Sequence, residues 1–289
     1  MKNIKYILIF AVFIASGKLF AQQDPSYTLY KYNMNIINPA FVGTSGNTEL
    51  NLNIRNQWAN LDESPKTQSV SFSKPVNDKI GIGFSIVNDK IDIIKETDFT
   101  VDFSYKLKIS ETSDIYLGIK AGGYTFKADL LSKGILNDPA FGENVSRFNA
   151  IFGAGALFKI KKFYATISTP NILAGKRVDN DDYAEAKSKP HVFAGAGYTF
   201  DINDNVKFSP SFMSRFVKGA PSSIDLTGMF DIYDKVELGG SYRLDESISG
   251  IALIKMKDWF QFGYAYEFTT SDVKNYSDGT HEIMLRFNL

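Results

Sequence analysis

Few residues in this chain have types that could do chemistry, and their spacing does not support it. There are two histidines, His191 and His281. Neither stands in a metal-ligand spacing, and the H-E-x-x-H pattern that sets two histidines on one helical face is absent. Thr280 precedes His281, a hydroxyl beside a base, but neighbours in a strand point to opposite faces, which makes a poor nucleophile–base pair. No G-x-S-x-G elbow occurs. Gly81-Ile82-Gly83 and Gly153-Ala154-Gly155 lack the G-x-G-x-x-G continuation that cradles a phosphate. The acid pair Asp181-Asp182 lies in a polar stretch where carboxylates are solvated. The expectation is a protein that is not an enzyme, with no catalytic residue, cofactor or bound metal.

The elements around these residues read as strands. In "ETDFTVDFSYKLKI", Phe99, Val101, Phe103, Tyr105, Leu107 and Ile109 fall on one face, and Asp98, Thr100, Asp102, Ser104, Lys106 and Lys108 on the other. The same period of two recurs at Ile80, Ile82, Phe84, Ile86; at Val192, Ala194, Ala196, Tyr198, Phe200; at Phe260, Phe262, Tyr264, Tyr266, Phe268; and at Ile283, Leu285, Phe287, Leu289. Strands are expected at 48–58, 66–74, 79–89, 96–109, 113–127, 145–159, 162–169, 189–202, 205–216, 222–232, 235–245, 248–256, 259–270 and 279–289. Most exceed the ~5–6 residues usual in soluble sheets and suit a tilted crossing of a bilayer. Short connections alternate with longer ones, the two longest being "ADLLSKGILNDPAFGEN" and "PNILAGKRVDNDDYAEAKS". Short turns on one rim and longer loops on the other is the pattern of outer-membrane barrels. The fold expected is all-β: a transmembrane antiparallel barrel of about 14 strands over 48–289.

Composition agrees. The chain has 289 residues with 24 Phe, 15 Tyr and 2 Trp. Its mean hydropathy of −0.14 looks soluble, but a barrel that alternates lipid-facing and lumen-facing residues averages to such a value. A secreted β-sandwich also alternates, yet strands this long and this aromatic on one face would over-fill its core. There is no cysteine, hence no disulfide framework, thiolate metal site or lipid-anchored N-terminus. Residues 1–21 read as a signal peptide: Lys2 and Lys5, an apolar core from Tyr6 to Ala15, and Ala21 before the cut, with Leu19 where a small residue is preferred. Cleavage there removes three lysines, leaving 32 − 3 = 29 basic against 32 acidic residues, a net −3. That balance gives no reason to expect nucleic acid.

Between signal and barrel, residues 22–47 are irregular and rich in Asn and Tyr, punctuated by Pro25, Pro39, Gly43 and Gly46. They read either as a plug lying in the lumen or at its mouth, or as a flexible leader. Glycines collect on the lumen-facing side of the strands, among them Gly81, Gly83, Gly118, Gly122, Gly153, Gly155, Gly195, Gly197, Gly239 and Gly263. They serve either sheet curvature or the close approach of another segment.

"YKYNMNIINPAFVG" at 30–43, "IRNQWANLDESPKTQSVSFSKPV" at 54–76, "SPSFMSRFVKGAPSSIDL" and the terminal "DGTHEIMLRFNL" follow one another in this order. The order resembles the PorP/SprF family of Bacteroidetes outer-membrane proteins, over essentially the whole chain after the signal. The pieces that carry the resemblance are Asn38-Pro39-Ala40 with Gly43, Gln57-Trp58 followed by Pro65 and Thr67, Gly219-Ala220-Pro221, Tyr242-Arg243, and His281-Glu282; Thr280 stands where the family often has serine. The resemblance implies a component of the type IX secretion system in the bacterial outer membrane. Its partners would be the C-terminal sorting domain of a secreted cargo such as a large adhesin, periplasmic ring components, and outer-membrane lipids. Some members take part in gliding motility. Trp58 is expected to end the first strand at the membrane interface, Pro65 to stiffen the turn into the second, and Asn38-Pro39 to cap a turn. Both termini are expected in the periplasm. A diffusion channel for small solutes is the alternative that the barrel alone allows.

Overall fold

The computed structural model describes residues 25–133, 143–173, 175–180 and 184–289. The expected signal peptide, and parts of both long loops, lie outside the described residues.

Fourteen antiparallel strands close into a barrel. They are β1 (Glu49–Asn56), β2 (Lys66–Pro75), β3 (Ile80–Ile91), β4 (Ile94–Lys108), β5 (Ser113–Ala128), β6 (Val145–Ile160), β7 (Phe163–Thr169), β8 (His191–Tyr198, continuing as Phe200–Asn203), β9 (Val206–Val217), β10 (Ser223–Ile232), β11 (Val236–Arg243), β12 (Ser247–Lys257), β13 (Phe260–Thr269) and β14 (Thr280–Asn288). Each pairs with its sequence neighbours, and β1 pairs with β14 from Glu49↔Asn288 to Asn56↔His281. That last pairing removes the two edges a bilayer would not tolerate.

The period of two sorts the side chains as expected. Phe99, Val101, Phe103, Tyr105, Leu107 and Ile109 face outward, 38–63% exposed, while Thr100, Asp102 and Ser104 between them are buried. In β14, Ile283 points out and Glu282 and Met284 are buried inside. At one end of this outer face Trp259 stacks on Phe287, ring centres 6.2 Å apart, as befits an aromatic pair at a bilayer edge.

The connections at 76–79, 109–112, 161–162, 204–205, 233–235 and 258–259 share one rim with the start of β1 and the end of β14, where the Leu289 N–H donates to the Thr48 carbonyl. The connections on the other rim include the long ones. One of these is shorter than expected. Residues 90–95 were expected to be loop, but Lys90↔Lys95 and Ile91↔Ile94 continue the ladder, and Asp92 turns the chain at φ 52. Asp tolerates that left-handed conformation better than most residues. The loop after β7 carries a two-stranded hairpin, Lys176–Asn180 with Ala184–Lys187, where no strand was expected.

The lumen is occupied by the chain itself. From Pro25, near the long-loop rim, the chain descends through a 3-10 turn (Tyr30–Tyr32), one helical turn (Met34–Ile37) and a second 3-10 turn (Pro39–Phe41). It then enters β1 at the opposite rim. Leu29 and Tyr32 pack on Met229, Ile251, Leu253, Ala265 and Met284 from the inner wall. Tyr27, Tyr30, Met34 and Ile37 pack with Met213. The chain's N-terminus lies outside the described residues. Of those described, the first stand at the rim opposite Leu289.

Candidate functional site in the barrel lumen

Two groups of inward-facing residues hold residues 25–43. The upper group is charged. Arg55, near the long-loop end of β1, reaches Glu282 (Nη1–Oε2 3.0 Å) and Glu267 (Nη2–Oε1 3.0 Å), all three buried. Glu282 accepts the main-chain N–H groups of Thr28 (2.7 Å) and Leu29 (3.2 Å), and the Asn53 amide at 2.8 Å. The Thr28 hydroxyl donates to Glu267 at 2.8 Å and accepts from Arg55 at 2.8 Å. On β11, Arg243 clamps Asp225 (Nε–Oδ1 2.6 Å, Nη2–Oδ2 3.2 Å) and touches the Tyr27 carbonyl at 3.5 Å. Buried charges need partners of opposite sign and further donors. Here residues 26–29 supply some of those donors, so the segment completes the network instead of merely lying against it. In the turn after β11, burial pushes the Glu246 carboxyl above the usual carboxylate range, with Arg243 and Arg215 opposing the shift.

The lower group is made for close approach. Asn38 is fully buried. Its Oδ1 accepts the Ala40 N–H at 2.8 Å, capping the 3-10 turn, and its Nδ2 donates to the Thr166 hydroxyl (2.7 Å) and the carbonyls of Ala156 (3.2 Å) and Ile167 (3.3 Å). A Cβ at Gly118 would run into the backbone of Pro39 and Ala40, and one at Gly155 into the Asn38 side chain. Gly81 makes the same room for Val42, whose carbonyl accepts from Ser104 at 2.6 Å. Close approach therefore explains these three glycines. At Gly83, Gly122, Gly195 and Gly239 an added Cβ would first meet the neighbouring strand, so those serve the sheet. Midway, buried Lys120 pairs with Asp102 (2.9 Å) and donates to the Asn35 carbonyl at 3.1 Å.

The residues singled out in the sequence therefore divide. Asn38, Pro39, Ala40 and Gly43 lie in the lower group, where the Gly43 N–H donates to Ser73 at 2.8 Å, and Glu282 belongs to the upper one. Thr67 faces in and donates to Asp89 at 2.6 Å. His281 points out, its Nδ1 2.8 Å from the Tyr264 hydroxyl, so the His281-Glu282 pair works on two faces. Gln57, Trp58 and Pro65 form the first long-rim turn: Gln57 N–H to Pro65 carbonyl at 2.9 Å, Trp58 N–H to Thr280 hydroxyl at 3.2 Å. Trp58 does not end the first strand. β1 stops at Asn56, and Trp58 turns the chain at φ 52, half-buried. Arg55, Glu267, Asp225 and Thr28 were not singled out. For Arg55, Glu267 and Asp225 the one sequence signal is a charge at an inward-facing position, which a water-filled pore would show equally, and Thr28 carries none.

A model of the family described as type IX secretion system membrane protein PorP/SprF matches residues 19–287. The chain belongs to that family. It is thus a membrane component of type IX secretion, and its barrel places it in the outer membrane. Among curated proteins none matches the chain. Among solved structures, the outer membrane protein Omp33 of Acinetobacter baumannii is similar at TM-score 0.51 and 10% identity, over 84% of this chain and 99% of that one. The CymD monoaromatic hydrocarbon channel is similar at TM-score 0.52 and 11% identity, over 89% and 92%. At such identities these likenesses speak for the barrel fold alone. Within this PorP/SprF chain, the family pieces Asn38-Pro39-Ala40, Arg243 and Glu282 all converge on the luminal segment.

Proposed function

We propose that this protein assists export and surface anchoring of large secreted proteins such as adhesins, by gripping their C-terminal sorting domain, and that it docks on periplasmic ring components of the type IX system. The observation that carries the reading is the family match across nearly the whole chain. The filled lumen supports it, because a barrel occupied by its own residues 25–43 is suited to holding a partner more than to passing solutes. In this reading residues 25–47 are a plug, the short turns face the periplasm and the long loops face outward. The role needs no catalysis. Where the cargo is a surface adhesin, the same export step supplies gliding motility.

A diffusion channel is the second reading. It rests on the barrel architecture, and the contacts of residues 25–43 around the inner wall stand against it.

The test is a mild-detergent pull-down from native membranes with mass spectrometry. A large secreted protein with a C-terminal sorting domain, with or without ring lipoproteins, is expected. An empty pull-down repeated after cross-linking would sink the export reading in favour of the channel.

A further inference from the structure

Four lysines stand in one row on the outward face, at the long-loop end of β2–β5. Lys66 is the register partner of Lys90, Lys90 of Lys95 and Lys95 of Lys127. All four are exposed. Residues directly opposite on paired strands hold their Cβ atoms about 4.5–5.5 Å apart, and like charges so placed destabilise a sheet. Here three such pairs lie side by side. The carboxylates of Asp89, Glu96 and Asp98, close to them in the chain, alternate to the lumen side. Asp62, Glu63, Asp92 and Asp129 sit past the strand ends, beyond the row. Among the described residues no ion pair or hydrogen bond reaches any of the four ammonium groups.

Below the row the outer face changes character in steps of two residues, about 7 Å along a strand. The next row is polar and uncharged: Gln68, Asn88, Thr97 and Thr125 stand in register, with the Thr97 hydroxyl donating to Asn88 at 3.1 Å. The row after that is apolar: Val70, Ile86 and Phe99, then Gly123, against which the ring of Phe148 lies. Charge, then polarity, then hydrocarbon is the order of groups in a membrane lipid with an anionic head. A free anion would match only the first row, and a protein partner has no reason to follow the other two into the bilayer. On β11–β13 the strand ends at this rim differ. Tyr242, Ile248 and Phe268 stand in register there, 43–53% exposed, with no cation among them. The lysine row is thus a feature of one side of the barrel and not a belt around it.

We propose that Lys66, Lys90, Lys95 and Lys127 bind the phosphate groups of a phosphorylated lipid, whose acyl chains lie on Val70, Ile86 and Phe99. Lysine stems run along an apolar wall and lift the ammonium to the head-group level. Several of them together attract an anionic membrane surface. With the long loops outward, the lipid is a phosphorylated glycolipid of the outer leaflet. It acts as the counter-ion of the sheet, relieving the repulsion among four adjacent strands.

The test uses the full-length protein purified in a neutral detergent. The probe is bisphosphorylated lipid A, the control is lipid A stripped of its phosphates, and native mass spectrometry counts the bound lipid. The unaltered protein is expected to retain the phosphorylated probe and not the stripped one, and excess inorganic phosphate should not displace it. Lys66→Gln, Lys90→Gln, Lys95→Gln and Lys127→Gln together should weaken retention at least about tenfold. The same four changed to arginine should hold it within about twofold, as should Lys74→Gln, Lys79→Gln, Lys161→Gln and Lys257→Gln together at the other rim. Lys90→Gln alone gives a second readout that needs no fourfold variant. In detergent without lipid A it should raise the urea midpoint, because it removes a cation flanked by two others. With the phosphorylated probe present it should lower the midpoint relative to the unaltered protein, because less binding energy then favours the folded state. A midpoint that moves the same way in both conditions overturns the proposal. So does equal retention of the two lipids, equal loss in the other-rim set, or displacement by inorganic phosphate, which would leave a plain anion site.

Discussion

Arg55 and Glu282 face each other across the seam that closes the barrel. They are register partners on its first and last strands, joined at 3.0 Å with neither side chain more than 1% exposed. One ion pair thus ties three things: the two ends of the sheet, the second carboxylate Glu267, and the main chain of Thr28 and Leu29.

Arg55→Met should therefore do more than delete a bridge. It takes the cation from Glu282 and leaves Glu267 with Arg243 alone, at 3.6 Å, and breaking one side of a buried pair costs about 3–5 kcal/mol. The expected result is a lower unfolding midpoint in urea, together with protease sensitivity at residues 25–29. Arg55→Met with Glu282→Met restores part of the midpoint. Equal loss in the single and double variants would show that the pair is not what holds the seam.

Asn38→Ala removes an amide that serves three acceptors and one turn N–H. The Ala40 N–H and the Thr166 hydroxyl then lose a buried partner, at about 1–3 kcal/mol for each unsatisfied group. The turn at Pro39–Phe41 should loosen while the barrel stays closed. Hydrogen exchange over 38–42 is the measurement, with exchange over β1 and β14 as the internal reference. Unchanged protection at 38–42 would refute the role given to Asn38.

Alternation at 98–109 reveals a strand and its faces because each residue's direction depends only on its own position. That is why the number of strands, their rough bounds and the outward aromatic faces could be read from the chain. The pairing of Arg55 with Glu267, or of Asn38 with Thr166, depends on which strands adjoin after closure and on the path of residues 25–43, and neither leaves a periodic trace. Met284 shows the limit. It lies on the side of β14 that alternation marks as polar, and its place in one buried cluster with Leu29, Tyr32, Leu253 and Ala265 explains an apolar residue there. Trp58 shows another: the strand stops two residues before it, and its positive φ and its N–H bond to the Thr280 hydroxyl are tertiary features that alternation does not mark.

The outward face carries its own prediction. Val101 is 57% exposed near the middle of β4. Val101→Arg should destabilise the inserted barrel by about 2–4 kcal/mol, the depth-dependent cost of a cation facing lipid. Thr100→Ser, one residue away and facing the lumen, should be close to neutral. Folded fraction in lipid vesicles against urea separates the two, and equal effects would mean the faces are assigned wrongly.

The last prediction concerns what fills the pore. A side chain at Gly118 would collide with the backbone of Pro39 and Ala40, whereas an added Cβ at Gly250 meets nothing within 4 Å. Gly118→Val should therefore displace the lower part of the internal segment, and Gly250→Val should not. In planar bilayers the unaltered protein and Gly250→Val are expected to show no steady conductance, and Gly118→Val to conduct. The physical reason is that a barrel of this size is wide enough to leave an aqueous path once its lumen is cleared. Steady conductance from the unaltered protein would mean that residues 25–43 do not seal the lumen, and would return the channel reading to first place. Silence from a correctly folded Gly118→Val variant would mean that the upper charged group alone keeps the segment seated.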